Sequence, residues 1–161
     1  MSPGSPAHHG RLVAVELDPG SLRPAGTFID AERAVAIHDL LQENVFTPKG
    51  TGAGDYRLAM ALADGKLRLD VTTAEGAPVA RHFLALAAFR RIVRDYFLVC
   101  EAWYAAHGTA LDHVEAADVG RRSLHNEGAT LIRDRLEGRI SVDFATARRL
   151  FTLIAALHWK G

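Results

Sequence analysis

The chain has 161 residues, a length suited to one domain, with 48% hydrophobic and 24% charged residues, the balance of an ordinary globular protein. Lys and Arg number 19 and Asp and Glu number 19, so bulk charge offers no argument for a nucleic-acid partner, whose binders carry a basic excess against phosphates. A single cysteine, Cys100, excludes an internal disulfide and a thiolate metal cluster. No apolar run reaches the roughly 20 residues of a membrane span.

The opening Met-Ser-Pro-Gly-Ser-Pro lacks the basic and apolar regions of a secretory signal. These features predict a cytoplasmic protein with no metal, no cofactor and no membrane partner. Residues 1–10 are rich in Ser, Pro, Gly and His and read as a disordered extension, with a single domain over 11–161. Leu12-Val13-Ala14-Val15-Glu16-Leu17 reads as a first strand, closed by Asp18-Pro19-Gly20. A helix follows, with Asp30 as the expected N-cap and Ala34, Ile37, Leu41 and Val45 on its apolar face. Residues 47–54 contain three glycines and read as a flexible loop; the lysine precedes the glycines, so no phosphate-binding loop is formed.

The clearest local signal comes next. Leu58, Met60 and Leu62 alternate towards Asp64-Gly65, and Leu67, Leu69 and Val71 alternate away from it. Asp-Gly suits a two-residue type I′ turn, in which both central residues take positive φ. That turn sets Leu62 opposite Leu67, Met60 opposite Leu69 and Leu58 opposite Val71, all on one face. A second turn at Glu75-Gly76 returns the chain as a strand over about 78–84, with Ala80, His82 and Leu84 facing the same way.

The rest reads as helical. A stripe through Phe89, Ile92, Val93, Tyr96, Val99, Cys100 and Trp103 predicts a helix over 87–107. Another covers 112–137, with Gly120 and Gly128 as points of interruption and Gly138 as its stop. The last is capped by Ser141 or Asp143 and carries Phe144, Ala147, Phe151 and Ile154; it is apolar around most of its circumference, which predicts a central position. The fold class is therefore α+β, a three- to four-stranded antiparallel meander covered on one face by the C-terminal helices, in the order β-α-β-β-β-α-α-α.

The densest polar constellation is Gly120-Arg121-Arg122-Ser123-Leu124-His125-Asn126-Glu127-Gly128. Arg121 with His125, and Arg122 with Asn126, are four apart on a helix and share faces. A cation, an imidazole and a carboxylate together suit a small phosphate or carboxylate ligand; a structural ion-pair network has the same composition. Arg90, Arg91 and Arg94 form a second cluster, and Arg148 and Arg149 a third. If they converge they line an anion pocket; otherwise they pair with Asp95, Glu101, Asp134 and Asp143. His82 lies among apolar neighbours, the usual setting of a hydrogen-bonded core histidine.

Three stretches together resemble Uncharacterised Protein Family 0262, found mainly in alphaproteobacteria. They are Phe89-Arg90-Arg91-Ile92-Val93-Arg94-Asp95-Tyr96-Phe97, the Gly120–Gly128 segment, and Val142 to Ile154 continuing into Leu157-His158-Trp159-Lys160-Gly161. The likeness also takes in Glu32–Ile37 and the hairpins, from about residue 11 onward. The resemblance implies no reaction, ligand or catalytic residue to carry over.

With no catalytic fingerprint present, the first expectation is a non-catalytic binding or regulatory protein acting through a protein interface, with a protein partner or a second copy, anchored by Trp103, Tyr104 and Trp159. The alternative is an enzyme or small-molecule binder whose anion is held by Arg121 and Arg122 with His125 and Glu127. The candidate residues are Arg90, Arg94, Arg121, Arg122, His125, Asn126, Glu127 and Arg148. A nucleic-acid partner is not expected.

Overall fold

A computed structural model of the chain describes residues 9–24, 26–106 and 111–157. The elements are β1 (Gly10–Leu17), α1 (Thr27–Gln42), β2 (Phe46–Pro48), β3 (Gly54–Ala63), β4 (Lys66–Thr73), β5 (Pro78–Ala85), a 3-10 turn at Leu86–Phe89, α2 (Arg90–Ala106), α3 (Leu111–Leu136), β6 (Ile140–Val142) and α4 (Phe144–Leu157).

The main sheet has the order β1-β3-β4-β5. Its centre is the hairpin that the turn chemistry predicts. Asp64 has φ 52° and Gly65 φ 74°, and the pairs Leu58–Val71, Met60–Leu69 and Leu62–Leu67 form in that register. β5 continues it, with Leu69 opposite His82 and Val71 opposite Ala80. Leu58, Met60, Leu67, Leu69, Val71 and Leu84 are buried, while Leu62, beside the hairpin turn, stays 38% exposed.

The sheet is mixed, not purely antiparallel. β1 lies parallel to β3, from Gly10 opposite Gly54 to Leu17 opposite Met60, with an irregularity between Leu12 and Ala14. The connection between β1 and β3 passes through α1, and such a crossover brings a strand back in the same direction, where a tight turn would reverse it.

The covering layer is α3 and α4 with a second, two-stranded sheet of β2 and β6. Ile132 and Leu136 of α3, Leu150 and Ile154 of α4, Phe46 of β2 and Ile140 of β6 meet Leu58, Met60, Leu69 and Leu84 around a void of only ≈ 10 Å³. α4 is the hub: Ala147, Leu150, Phe151, Leu153, Ile154, Ala155 and Leu157 are all buried. Each large side chain removed from water there contributes about 1.5–3 kcal/mol. The Asp143 carboxylate accepts the Thr146 N–H at 2.8 Å and caps its N-terminus. Phe144, placed by periodicity on the buried stripe, is 37% exposed in the first turn.

Three boundaries differ from the sequence reading. Helix α1 starts at Thr27 after Gly26, whose φ is 117°, and not after Asp30. Its most buried positions are Arg33, Ala36 and Leu40; the predicted Ile37 and Leu41 pack against the core half-buried, and Ala34 is exposed. Polar Arg33 occupies that stripe because its guanidinium reaches the carbonyls of Arg23 (2.8 Å) and Ala156 (3.4 Å), fastening α1 to the end of α4. The segment after α1 is partly strand: Thr47 and Pro48 pair with Ser141 and Ile140. Helix α3 runs without a break through both glycines. At Gly128 a Cβ would collide with the Phe151 ring, so the missing side chain lets α4 approach.

Candidate functional site

α3 and α4 pack side by side, and their solvent-side seam holds the polar cluster. On α4 the buried stripe of Ala147, Leu150, Phe151 and Ile154 leaves Ala145, Arg148, Arg149 and Thr152 on the other side, at intervals of three, one and three residues. These four, with His125 from α3, line a cleft of ≈ 240 Å³. Helical spacing puts the α4 residues on one face; packing of the helices brings the histidine to them.

His125 is held firmly. Its ring lies 4.9 Å from Tyr96 of α2, tilted, and 6.0 Å from Phe151, edge-on. Its Nε2 is 3.1 Å from Thr152 Oγ1, and that hydroxyl is also 3.1 Å from the Arg148 carbonyl, to which it donates. With its one proton on the carbonyl, the hydroxyl accepts from Nε2–H, which selects the tautomer protonated at Nε2.

The two arginines differ. Arg149 donates from Nη1 to the Glu43 carbonyl at 2.8 Å, at the C-cap of α1, where helix carbonyls are negative. Arg148 Nε is shut off from solvent and has no hydrogen-bond acceptor among the described residues. Among the described residues, no carboxylate lines the cleft. A buried donor without a partner costs about 1–3 kcal/mol. The cleft therefore gathers two guanidinium groups, an imidazole and a hydroxyl with no negative side chain among them.

The other predicted residues sort differently. Arg91 bridges two carboxylates, Glu127 of α3 and Asp95 at 3.1 Å; the Glu127 hydrogen bond and charge hold its pKa above the ordinary arginine value. Glu127 is thereby engaged across α2 and α3. Arg94 Nε lies 3.5 Å from Asp95 and is exposed, and Arg90 is exposed at the start of α2. Arg122 and Asn126 are exposed on α3. Asp143, expected as a partner for an arginine, is the cap of α4. The side chains of Arg121, Trp103 and Tyr104, and all of Trp159, lie outside the described residues. Among the described residues, no group of three His, Cys, Asp or Glu is placed to hold a metal ion, and no helix is long and apolar enough to cross a membrane.

Arg148 was legible as a candidate, but Thr152 and Tyr96 were not. Thr152 stands four residues beyond Arg148, so the polar stripe of α4 carried the signal.

A family model for uncharacterised protein family UPF0262 matches residues 9–160. The chain belongs to this family. Among its relatives, a UPF0262 protein of Azorhizobium caulinodans is 53% identical over 154 residues, 94% of this chain and 95% of the relative. One from Rhodopseudomonas palustris strain BisB5 is 48% identical over 154 residues, 95% and 94% of the two chains. One from Nitrobacter hamburgensis is 49% identical over 152 residues, 94% and 93%. No solved structure matches. The cleft between α3 and α4 of this UPF0262 chain lies wholly inside the matched span.

Proposed function

We propose that the protein binds a small oxyanion, a phosphate or carboxylate group, in the cleft between α3 and α4. The observation that carries this reading is Arg148: a half-buried guanidinium whose Nε has no acceptor, beside His125, Thr152 and Arg149, in a cleft without a carboxylate. Guanidinium charge is shared over three nitrogens, so an anion at the open end of Arg148 also interacts with the buried Nε that lacks an acceptor among the described residues. Arginine presents paired N–H groups that match two oxygens, and the Thr152 hydroxyl, engaged with the Arg148 carbonyl and with His125, holds the imidazole beside them. The volume, below the roughly 300–1,000 Å³ of sites that enclose whole drug-sized ligands, suits one anionic group and not a large molecule. Of the ligand set expected from sequence, His125 and Arg148 line this cleft, whereas Arg90, Arg94, Arg122, Asn126 and Glu127 do not, and Glu127 is paired with Arg91.

The test is an amide NMR titration of the full chain with inorganic phosphate and with acetate. Saturable shifts confined to the surroundings of His125 and residues 145–152 are expected for at least one of the two. Arg148→Ala is expected to weaken that binding by roughly tenfold or more, the scale of a charge-assisted hydrogen bond, and Thr152→Val by less. Shifts that never saturate, or that persist unchanged in Arg148→Ala, would overturn the proposal.

A further inference from the structure

A second basic region lies at the C-terminal end of α3, and it borders a free sheet edge. Two adjoining clefts meet there, one of ≈ 570 Å³ against β2 and β6 and one of ≈ 760 Å³ against β5; they share Asp134, Glu137 and Arg139. Their walls carry the cations Lys49, Lys66, Arg81, Arg133, Arg135 and Arg139 against only the two carboxylates Asp134 and Glu137. All six cations are exposed. In a chain whose formal charges cancel, this is a concentrated positive field, lessened by Asp134 and Glu137 and at Arg81, which pairs with Asp70 at 2.5 Å. The field is felt nearby: after desolvation, the charge of Arg139 is the second cause that lowers the pKa of His82 on β5.

β5 is the last strand of its sheet. Among the described residues, no backbone hydrogen bond from another segment reaches the outward side of Val79–Ala85. Such an edge presents a row of N–H and C=O groups ready for another strand. Phe83, 43% exposed, adds an apolar contact beside it.

We infer that the free edge of β5 receives an extended acidic segment of a partner protein, which adds a strand to the sheet while its carboxylates face the cations of the adjoining clefts. Strand addition supplies affinity through backbone hydrogen bonds and side-chain pockets supply selection. The charge decides between occupants. A second copy would set the same cations against themselves, which charged edges in native sheets serve to prevent. A single-stranded nucleic acid would answer the charge but leave the backbone groups of β5 unpaired. This inference does not depend on the cleft between α3 and α4.

The experiment uses the full chain and a fluorescein-labelled dodecapeptide of alternating Glu and Val, followed by anisotropy and by amide hydrogen exchange. Binding with exchange slowed along β5 is expected. Arg135→Glu combined with Arg139→Glu, both exposed positions, is expected to weaken binding by roughly tenfold or more and to improve binding of the matching Lys-Val peptide. An unchanged thermal midpoint shows that the double variant is folded; Arg135→Gln with Arg139→Gln replaces it if that midpoint falls. Four results each overturn the inference: no binding of the Glu-Val peptide, binding without protection of β5, tighter binding of oligouridylate through the same cations, or dimerisation through β5.

Discussion

The two edges of the main sheet are finished in opposite ways. Along β1 the outward backbone groups are taken by side chains of the segment after α1. Asn44 accepts the Leu12 N–H at 2.7 Å and donates to the Leu12 carbonyl at 2.9 Å; Thr47 Oγ1 accepts the Gly10 N–H at 2.7 Å. Asn44 also donates to the Leu40 carbonyl at 3.0 Å and is 6% exposed. β5 has no such seal among the described residues and is flanked by charge instead. A closed edge is a matter of folding, because its polar groups are buried and need partners. An open, charged edge answers to solvent, and it is where recognition can occur without dismantling the core.

That contrast can be broken at Asn44. Asn44→Ala strands a buried N–H and carbonyl on Leu12, each costing about 1–3 kcal/mol, so a loss near 3 kcal/mol of unfolding free energy is expected in urea denaturation. A loss below about 1 kcal/mol would mean that water replaces the seal. Thr47→Val keeps the shape and removes one acceptor, and about 1 kcal/mol is expected.

At the other edge the expected signal is a slope with pH. The His82 pKa is lowered from 6.5, chiefly by burial and then by Arg139. The unfolded chain therefore takes up a proton at higher pH than the folded one. The stabilising contribution is full above pH 6.5 and is lost as pH falls from there through the lowered folded value. Comparing thermal midpoints of the native chain and His82→Gln from pH 7.5 to 5 checks this: the variant should lose part of the acid-side decline, and parallel curves would refute it.

Much of the fold was legible because its causes are local. Asp64-Gly65 set a turn type, the turn set a register, and the alternation of Leu58, Met60, Leu67, Leu69 and Val71 agreed with it. The helix stop at Gly138, with φ 78°, was legible for the same reason. The stripe of α1 was legible at Ile37 and Leu41, which pack against the core, but not at Arg33, a buried polar residue that reaches the Ala156 carbonyl far away in sequence. Strands β2 and β6 are each three residues long, too short to show a period, and exist because each pairs with the other.

The candidate site divides along the same line. Arg148, Arg149 and Thr152 share one face of α4 by their spacing alone, and His125 stood out as a titratable residue in a polar run. Which cations would be neutralised was not written in that spacing: the Arg91–Glu127 contact spans α2 and α3, and the proximity of His125 to Thr152 spans α3 and α4. Composition and periodicity determined the fold class, the hairpin register and a central last helix, because steric and hydrophobic preferences act between near neighbours. The parallel course of β1, the sealing of one sheet edge and the placing of Arg148 Nε out of solvent without an acceptor among the described residues were decided only when distant segments met, since electrostatic and hydrogen-bond pairing depend on distances that the chain order does not encode.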